Sequence, residues 1–101
     1  MRRKIVNDLI EQLIQKYGRE YEPYGTSAEE IEGTGFRLSS IPATFSVLSF
    51  GDIPSETLDY QIESYPPGDY LRVGQAELNE FLVLIEMYRR PVDEWPDGIV
   101  E

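Results

Sequence analysis

The chain contains neither cysteine nor histidine, and only two of its 101 residues are lysine. Without histidine it lacks the commonest general base, the Ser–His and Cys–His nucleophile pairs and most zinc sites. Without cysteine it can form no disulfide, and a transition-metal site would need carboxylates alone, which is uncommon. We therefore expect no catalytic residues, no cofactor and no bound metal, although the sequence leaves a carboxylate-based enzyme open.

The sequence also shows no pattern typical of a nucleotide-binding loop or a membrane-spanning helix. A Walker loop needs a lysine after a glycine-rich turn, and Lys4 and Lys16 do not follow one. The "GTG" at 33–35 lacks the third glycine of a dinucleotide-binding turn. No stretch reaches the roughly 18 apolar residues of a membrane helix, and Asn7 and Asp8 interrupt the apolar residues that would form a signal peptide. With the absence of cysteine, this favours a cytoplasmic protein that does not bind membranes.

Acidic residues far outnumber basic residues in the middle of the chain. The net charge is −10, and residues 20–71 carry ten acidic side chains against one basic residue, Arg37. Such a chain repels phosphate backbones, so we expect no direct nucleic-acid binding. The same charge would attract a basic protein. The alternative is that the acidity only keeps the protein soluble.

Two stretches have the period of amphipathic helices. Apolar residues at 5, 6, 9, 10, 13, 14 and 17 fall on one helical stripe, and Gly18 is placed to end that helix in a left-handed cap. A second helix is predicted over 75–90, and Pro91 stops it. Val83, Leu84 and Met87 would widen its core stripe, which consists of Leu78, Phe81, Leu82, Ile85 and Tyr88.

The residues between the helices read mainly as strands. Segment 19–35 is predicted to be a loop, with a helical turn over 28–32 and breaks at Gly33 and Gly35. Alternation predicts strands over 36–39, 43–50 and 57–65, then a "PPGD" turn and a short fourth strand, "YLRV". We therefore predict one α+β domain over residues 1–101, with an irregular tail at 92–101. An N-terminal helix, a three- or four-stranded antiparallel sheet and a C-terminal helix follow in order, with both helices on one face.

Tyrosines beside acids supply the candidate binding residues. Tyrosine is favoured at protein interfaces, and aromatic rings ringed by carboxylates suit a surface rich in lysine and arginine. The alternative is that these rings pack at sheet edges and the acids of the 57–65 strand are merely solvated. Asp59 and Glu63 would also suit a glycosidase or a magnesium site. The candidate partner-binding residues are Tyr21, Glu22, Tyr24, Asp59, Glu63, Tyr65, Asp69 and Tyr70.

Three function classes follow from these features. The first is an acidic module that docks a basic protein partner, as inhibitors of basic enzymes and toxin-neutralising immunity proteins do; this analogy rests on composition and size alone. The second is a structural or regulatory subunit that self-associates through an apolar surface, so the sequence leaves monomer and homodimer open. The third is a carboxylate enzyme or small-ligand binder, which predicts a deep pocket with convergent acids and tyrosines.

Overall fold

The computed structural model describes residues 3–24, 33–65 and 69–95. Within these ranges the chain forms an α+β domain of two helices and five strands, with single 3-10 turns at Gly18–Glu20 and Val92–Glu94. The predicted turn over 28–32, most of the "PPGD" turn and residues 96–101 of the tail lie outside these ranges. The elements are α1 Lys4–Tyr17, β1 Tyr21–Pro23, β2 Gly33–Leu38, β3 Ala43–Leu48, β4 Leu58–Ser64, β5 Tyr70–Ala76 and α2 Leu78–Tyr88.

Helix α1 buries most of the stripe that its sequence predicts. Gly18 ends it at a φ of +51°, a conformation that glycine adopts without the steric penalty of a Cβ. Ile14, expected in the stripe, is exposed. Four of the buried positions form the i, i+4 row from residue 5 to residue 17, and Ile14 lies beyond the edge of that row. The buried residues of α1 are Ile5, Val6, Leu9, Leu13 and Tyr17.

The five strands form one antiparallel sheet in sequence order, β1-β2-β3-β4-β5. This corrects the expectation of three or four strands. The missed strand, β1, is three residues long and lies in a segment rich in turn formers, which gave it no recognisable alternation. It exists because its backbone pairs with β2, where Tyr21 lies opposite Leu38 and Pro23 lies opposite Phe36.

Three further boundaries differ from the sequence prediction. Gly33 and Gly35, expected to break the chain, belong to β2. A Cβ on Gly33 would lie 1.9 Å from the carbonyl oxygen of Val47, so glycine is needed for β2 and β3 to approach there. Strand β5 runs for seven residues, well beyond the predicted "YLRV". In the tail, Val92–Glu94 forms a 3-10 turn where irregular chain was expected.

Both helices share one hydrophobic core with the same side of the sheet. The ring of Phe81, at the centre of α2, meets the rings of Phe36 and Phe45 edge-on at centroid distances of 6.5 and 6.3 Å. Phe36 and Phe45 stack on each other across β2 and β3 at 5.1 Å, and Tyr60 of β4 lies 5.5 Å from Phe81. The side of the sheet that carries these rings is called the core face below.

Helix α2 is shorter than the predicted 75–90. It begins after Glu77, whose side chain caps the backbone amide of Glu80 while the Glu80 carboxylate accepts from the Glu77 amide. Val83, expected to widen the core stripe, is 63% exposed. Two positions along a helix are separated by about 200°, so Val83 points away from the side that Phe81 buries.

The two helices also contact each other. The Tyr17 hydroxyl of α1 donates to the Glu86 carboxylate of α2. Burial raises the pKa of Tyr17 and the hydrogen bond to Glu86 raises it further, so the phenol stays a protonated donor. Beyond α2, Arg89 pairs with Glu20 at 3.3 Å and joins the end of α2 to the turn after α1. The helix layer is thereby tied to the start of the sheet.

Candidate functional site

The face of the sheet opposite the helices, called the outer face below, gathers most of the candidate residues. Residues directly opposite each other on antiparallel strands share a face. One such row crosses all five strands and contains Glu22, Arg37, Thr44, Glu63 and Tyr70. A parallel row contains Gly33, Leu48, Asp59 and Gln75.

Six of the eight candidate residues belong to the outer face. Tyr24 extends β1, where its amide donates to the Gly35 carbonyl, and Tyr65 follows β4 directly. The rings of Tyr24 and Tyr65 meet at 5.9 Å, which places both on the same side. The six residues brought together are Glu22, Tyr24, Asp59, Glu63, Tyr65 and Tyr70.

The other two candidates lie elsewhere. Tyr21 points to the core face, where its ring lies 5.8 Å from that of Phe36. Asp69 lies in the connection between β4 and β5, where its backbone bonds twice to Ser64: its amide donates to the hydroxyl at 3.1 Å and its carbonyl accepts from the amide at 2.8 Å. The turn role that the sequence suggested for Asp69 is therefore visible in its backbone contacts.

A cluster of two rings and one guanidinium organises one end of the outer face. Arg37 lies over the ring of Tyr65 at 4.1 Å, and Tyr65 meets Tyr24 edge-on. The Arg37 Nη1 also pairs with a Glu22 carboxylate oxygen at 3.2 Å. Its side chain is only 18% exposed, and its Nε has no hydrogen-bond partner within the described ranges. Ring stacking and one ion pair therefore hold this cation.

Arg37 is a residue of the site that the sequence did not predict. In the sequence it stands out only as the one basic residue in the acidic stretch 20–71. That isolation was a usable signal, because a lone cation among ten acids is expected to be paired. The partner could not be chosen from the sequence, since Glu22 and Tyr65 lie on different sides of Arg37 along the chain.

Two carboxylates of the outer face have no salt-bridge partner among the residues that the structure describes. In the described ranges, neither Asp59 nor Glu63 takes part in a salt bridge, whereas Glu22 is paired with Arg37. Asp59 also lines a shallow depression of about 520 Å³ together with Val73, Gly74 and Gln75 of β5. This part of the surface presents unneutralised negative charge beside the edge of the sheet.

Geometry argues against joint catalysis by these two carboxylates. Four residues along a strand span about 13 Å. The paired carboxylates of glycosidases lie about 5 to 9.5 Å apart. Within the part of the chain that the structure describes, no group of three or more acidic side chains is arranged to hold a metal ion. Asp59 and Glu63 are therefore too far apart to act as a glycosidase pair.

A second cavity, of about 690 Å³, lies near the first residues of the two helices, and Asp8, Glu56 and Asn79 contribute to its lining. Arg3 also lines it, but this side chain is committed to the loop between β3 and β4. Its guanidinium donates to the carbonyls of Gly51 and Ile53 and to the Ser49 hydroxyl. Arg3 thus fixes a loop, and none of the eight candidate residues is part of this cavity.

Neither helix in the described ranges has the length and apolar content needed to cross a membrane. No protein-family model, characterised protein or solved structure shows significant similarity to this chain. The chemistry of the outer face is therefore the basis of the function proposed below.

Proposed function

We propose that the protein is an acidic binding module that docks a basic protein partner on the outer face of its sheet, as an inhibitor of a basic enzyme would. The observation that carries this proposal is the placement of two carboxylates, Asp59 and Glu63, on the same face as three exposed tyrosine rings; neither carboxylate has a salt-bridge partner in the described part of the chain. Those rings belong to Tyr24, Tyr65 and Tyr70.

The tyrosines provide contact area that costs little to order. A tyrosine has few side-chain torsions to immobilise, and its hydroxyl keeps a hydrogen-bonding group at the surface. Tyr65 is 37% exposed and is already held by Arg37 and Tyr24, so it loses little freedom when a partner binds. Tyr70 is 52% exposed and is the last residue of the row that contains Glu22, Arg37 and Glu63. The rings therefore border the carboxylates on the surface that a partner would cover.

The contacts of Arg37 support a cationic partner. This guanidinium stacks on Tyr65 and pairs with Glu22, which is the chemistry that an arginine of a partner would use on the neighbouring rings and acids. Asp59 and Glu63 provide the matching carboxylates without a cation of their own in the described ranges. Charge of this kind contributes mainly to association rate and to the choice of partner.

The exposed apolar residues give less support to self-association through an apolar surface. Apart from the tyrosines, the large exposed apolar side chains of the described ranges belong to four different segments. Single exposed apolar residues are normal on a monomer and do not mark an interface. These residues are Ile14, Phe50, Val83 and Val92.

The test compares two double variants that remove the same charge from different surfaces. Asp59→Asn/Glu63→Gln neutralises the outer face, and the control Glu11→Gln/Glu56→Gln neutralises two exposed acids outside it. A partner is isolated by affinity capture from the source cells, purified, and its binding kinetics are measured with the parent chain and both variants.

We expect the outer-face variant to bind roughly tenfold more weakly, mainly through a slower association rate, while the control stays close to the parent. The difference between the variants should shrink as NaCl rises from about 0.05 M to about 0.5 M. Equal weakening by both variants would show that only total charge matters. A partner that tolerates Asp59→Asn/Glu63→Gln would rule out the outer face as its docking surface.

A further inference from the structure

The two edges of the sheet are protected to different degrees. At one edge, β1 is three residues long and ends in Pro23, which has no amide proton to offer. At the other edge, β5 has seven residues and pairs only with β4 among the described strands. Its protection is limited to one register shift beside Glu63 and to Arg72, which turns to the core side and donates to the Tyr60 hydroxyl. A long edge strand is a ready template for another strand, because the outward amides and carbonyls of β5 pair with no other strand in the described ranges.

We propose that β5 receives an extended basic segment of the partner as a sixth strand of the sheet. This inference rests on the proposed function and adds the way in which the partner is held. Backbone hydrogen bonds to β5 would supply affinity, and alternate side chains of the added strand would fall on the outer face beside Val73 and Gln75.

Charge around β5 favours a basic segment. Asp69 precedes the strand and Glu77 follows it, so both ends of the edge are acidic. Arg72, the basic residue within β5, turns to the core side, where it donates to the Tyr60 hydroxyl, and so does not face the outer side of an added strand. Asp59 lines the depression formed with Val73 and Gln75, and no salt bridge neutralises it in the described ranges. A lysine or arginine of the added strand that lies beside Gln75 would extend across this depression toward Asp59.

The same charges disfavour a second copy of this chain as the occupant. Antiparallel pairing of two β5 strands centred on Val73 would place Asp69 of each copy opposite Glu77 of the other. Like charges directly opposite across strands are destabilising, and each copy carries a net charge of −10. A basic segment meets neither penalty.

The test uses a synthetic eight-residue peptide of alternating lysine and valine with blocked ends. One matched control carries N-methyl groups on its four central amides. These groups keep the charge of the peptide but remove its amide hydrogen-bond donors on both sides. A second control replaces lysine with glutamate. Each peptide is titrated into the full chain labelled with ¹⁵N, and amide hydrogen exchange of Tyr70–Ala76 is measured at saturation.

We expect the lysine peptide to slow exchange at alternate amides of β5 by at least about tenfold, because amides that join a ladder are protected. The N-methylated and glutamate peptides should bind at least about tenfold more weakly. If the N-methylated peptide binds as well as the parent peptide, or if no peptide protects β5, strand addition is wrong. The proposed function would then still be judged by Asp59→Asn/Glu63→Gln with its own partner.

Self-pairing is the remaining outcome. Protection of β5 that rises with the concentration of the chain alone, and is abolished by dilution, would show that a second copy occupies the edge and would overturn the inference.

Discussion

The core face and the outer face of the sheet are built by alternate residues of the same strands, yet they are stabilised by different forces. On the core face, Phe36 and Phe45 lie under Phe81 and are fully shielded from water. On the outer face, their neighbours Arg37 and Thr44 belong to a row that is held by an ion pair and ring contacts.

The difference in burial implies a division of labour between the two faces. Burying a large apolar side chain contributes about 1.5–3 kcal/mol, whereas an exposed ion pair contributes about 0–1 kcal/mol. Stability should therefore depend on the core face, and the outer face can carry exposed tyrosines and unpaired acids at little cost to folding. Each prediction below tests that division, beginning with the largest effect.

Removal of the central ring of the core face should have the largest effect. We expect Phe81→Ala to lower the free energy of unfolding by about 3–5 kcal/mol, because it leaves a cavity above the stacked rings of Phe36 and Phe45. The exposed Val83 of the same helix provides the control, and Val83→Ala should change stability by no more than about 0.5 kcal/mol. Denaturant unfolding measures both. Equal effects of the two substitutions would contradict the assigned face of α2.

The outer face should contain one position as sensitive as a core position. We expect Gly33→Ala to cost about 1–3 kcal/mol, because the added methyl would overlap the Val47 carbonyl oxygen and the Leu48 Cα, and backbone atoms cannot simply rotate away. The measurement is the shift of the denaturant midpoint. An unchanged midpoint would show that β2 and β3 separate there without penalty.

A buried hydroxyl on the helix side of the sheet should weaken the fold. The Tyr88 Oη is buried and has no hydrogen-bond partner in the described ranges, and burial raises the pKa of Tyr88. We expect Tyr88→Phe to raise stability by about 1 kcal/mol, because it removes an unsatisfied polar group. Tyr17→Phe is the matched control with the opposite sign, since it deletes the hydrogen bond to Glu86. A lower melting temperature for Tyr88→Phe would reveal a partner for that hydroxyl.

The aromatic cluster of the outer face should contribute only modestly to stability. We expect Tyr65→Ala to cost about 1 kcal/mol, because the ring contacts Arg37 and Tyr24. Tyr70 is more exposed, and Tyr70→Ala should stay within about 0.5 kcal/mol. Both substitutions should weaken binding of the basic partner. Thermal melts combined with binding measurements would contradict the division between the faces if Tyr65→Ala unfolds the protein.

The smallest effect is expected where the helix layer meets the first strand. A hydrogen bond from Ser40 lowers the pKa of Glu20 below its ordinary value of 4.5, and Arg89 assists. A carboxyl whose pKa is lower in the folded state stabilises the fold above its unfolded pKa and loses that contribution as the pH falls through its folded pKa. The stability lost in Glu20→Gln, below about 1 kcal/mol for this partly exposed group, should therefore be present at neutral pH and vanish at acid pH.

Unfolding of the parent chain and Glu20→Gln at a series of pH values would measure that difference. A stability gap that stays constant down to about pH 3 would contradict the role given to Glu20.

Much of the fold could be predicted because its signals are local. The helical stripe of α1 and the alternation of Leu58, Tyr60 and Ile62 are set by neighbours within a few residues, and the structure buries most of that stripe and all three strand residues. The helix cap at Gly18 was equally readable, since glycine is the residue that best tolerates a positive φ.

The candidate site could be predicted only in part. Local composition pointed to tyrosines beside acids, but Tyr21 and Tyr24 have the same surroundings in sequence and end on opposite faces. Their separation depends on the register with which β1 joins β2. Arg37 became part of the site for the same reason, because pairing of strands placed it between Glu22 and Tyr65.

The sequence by itself determined both helices, four of the five strands with their order along the chain, and the excess of negative charge, because these follow from spacing and composition. Tertiary structure alone decided that β1 exists, that β5 reaches Ala76 as an edge strand, and that Tyr24 meets Tyr65. These outcomes depend on backbone hydrogen bonds and ring contacts between residues far apart in the chain, and no local pattern of side chains specifies which distant segments will pair.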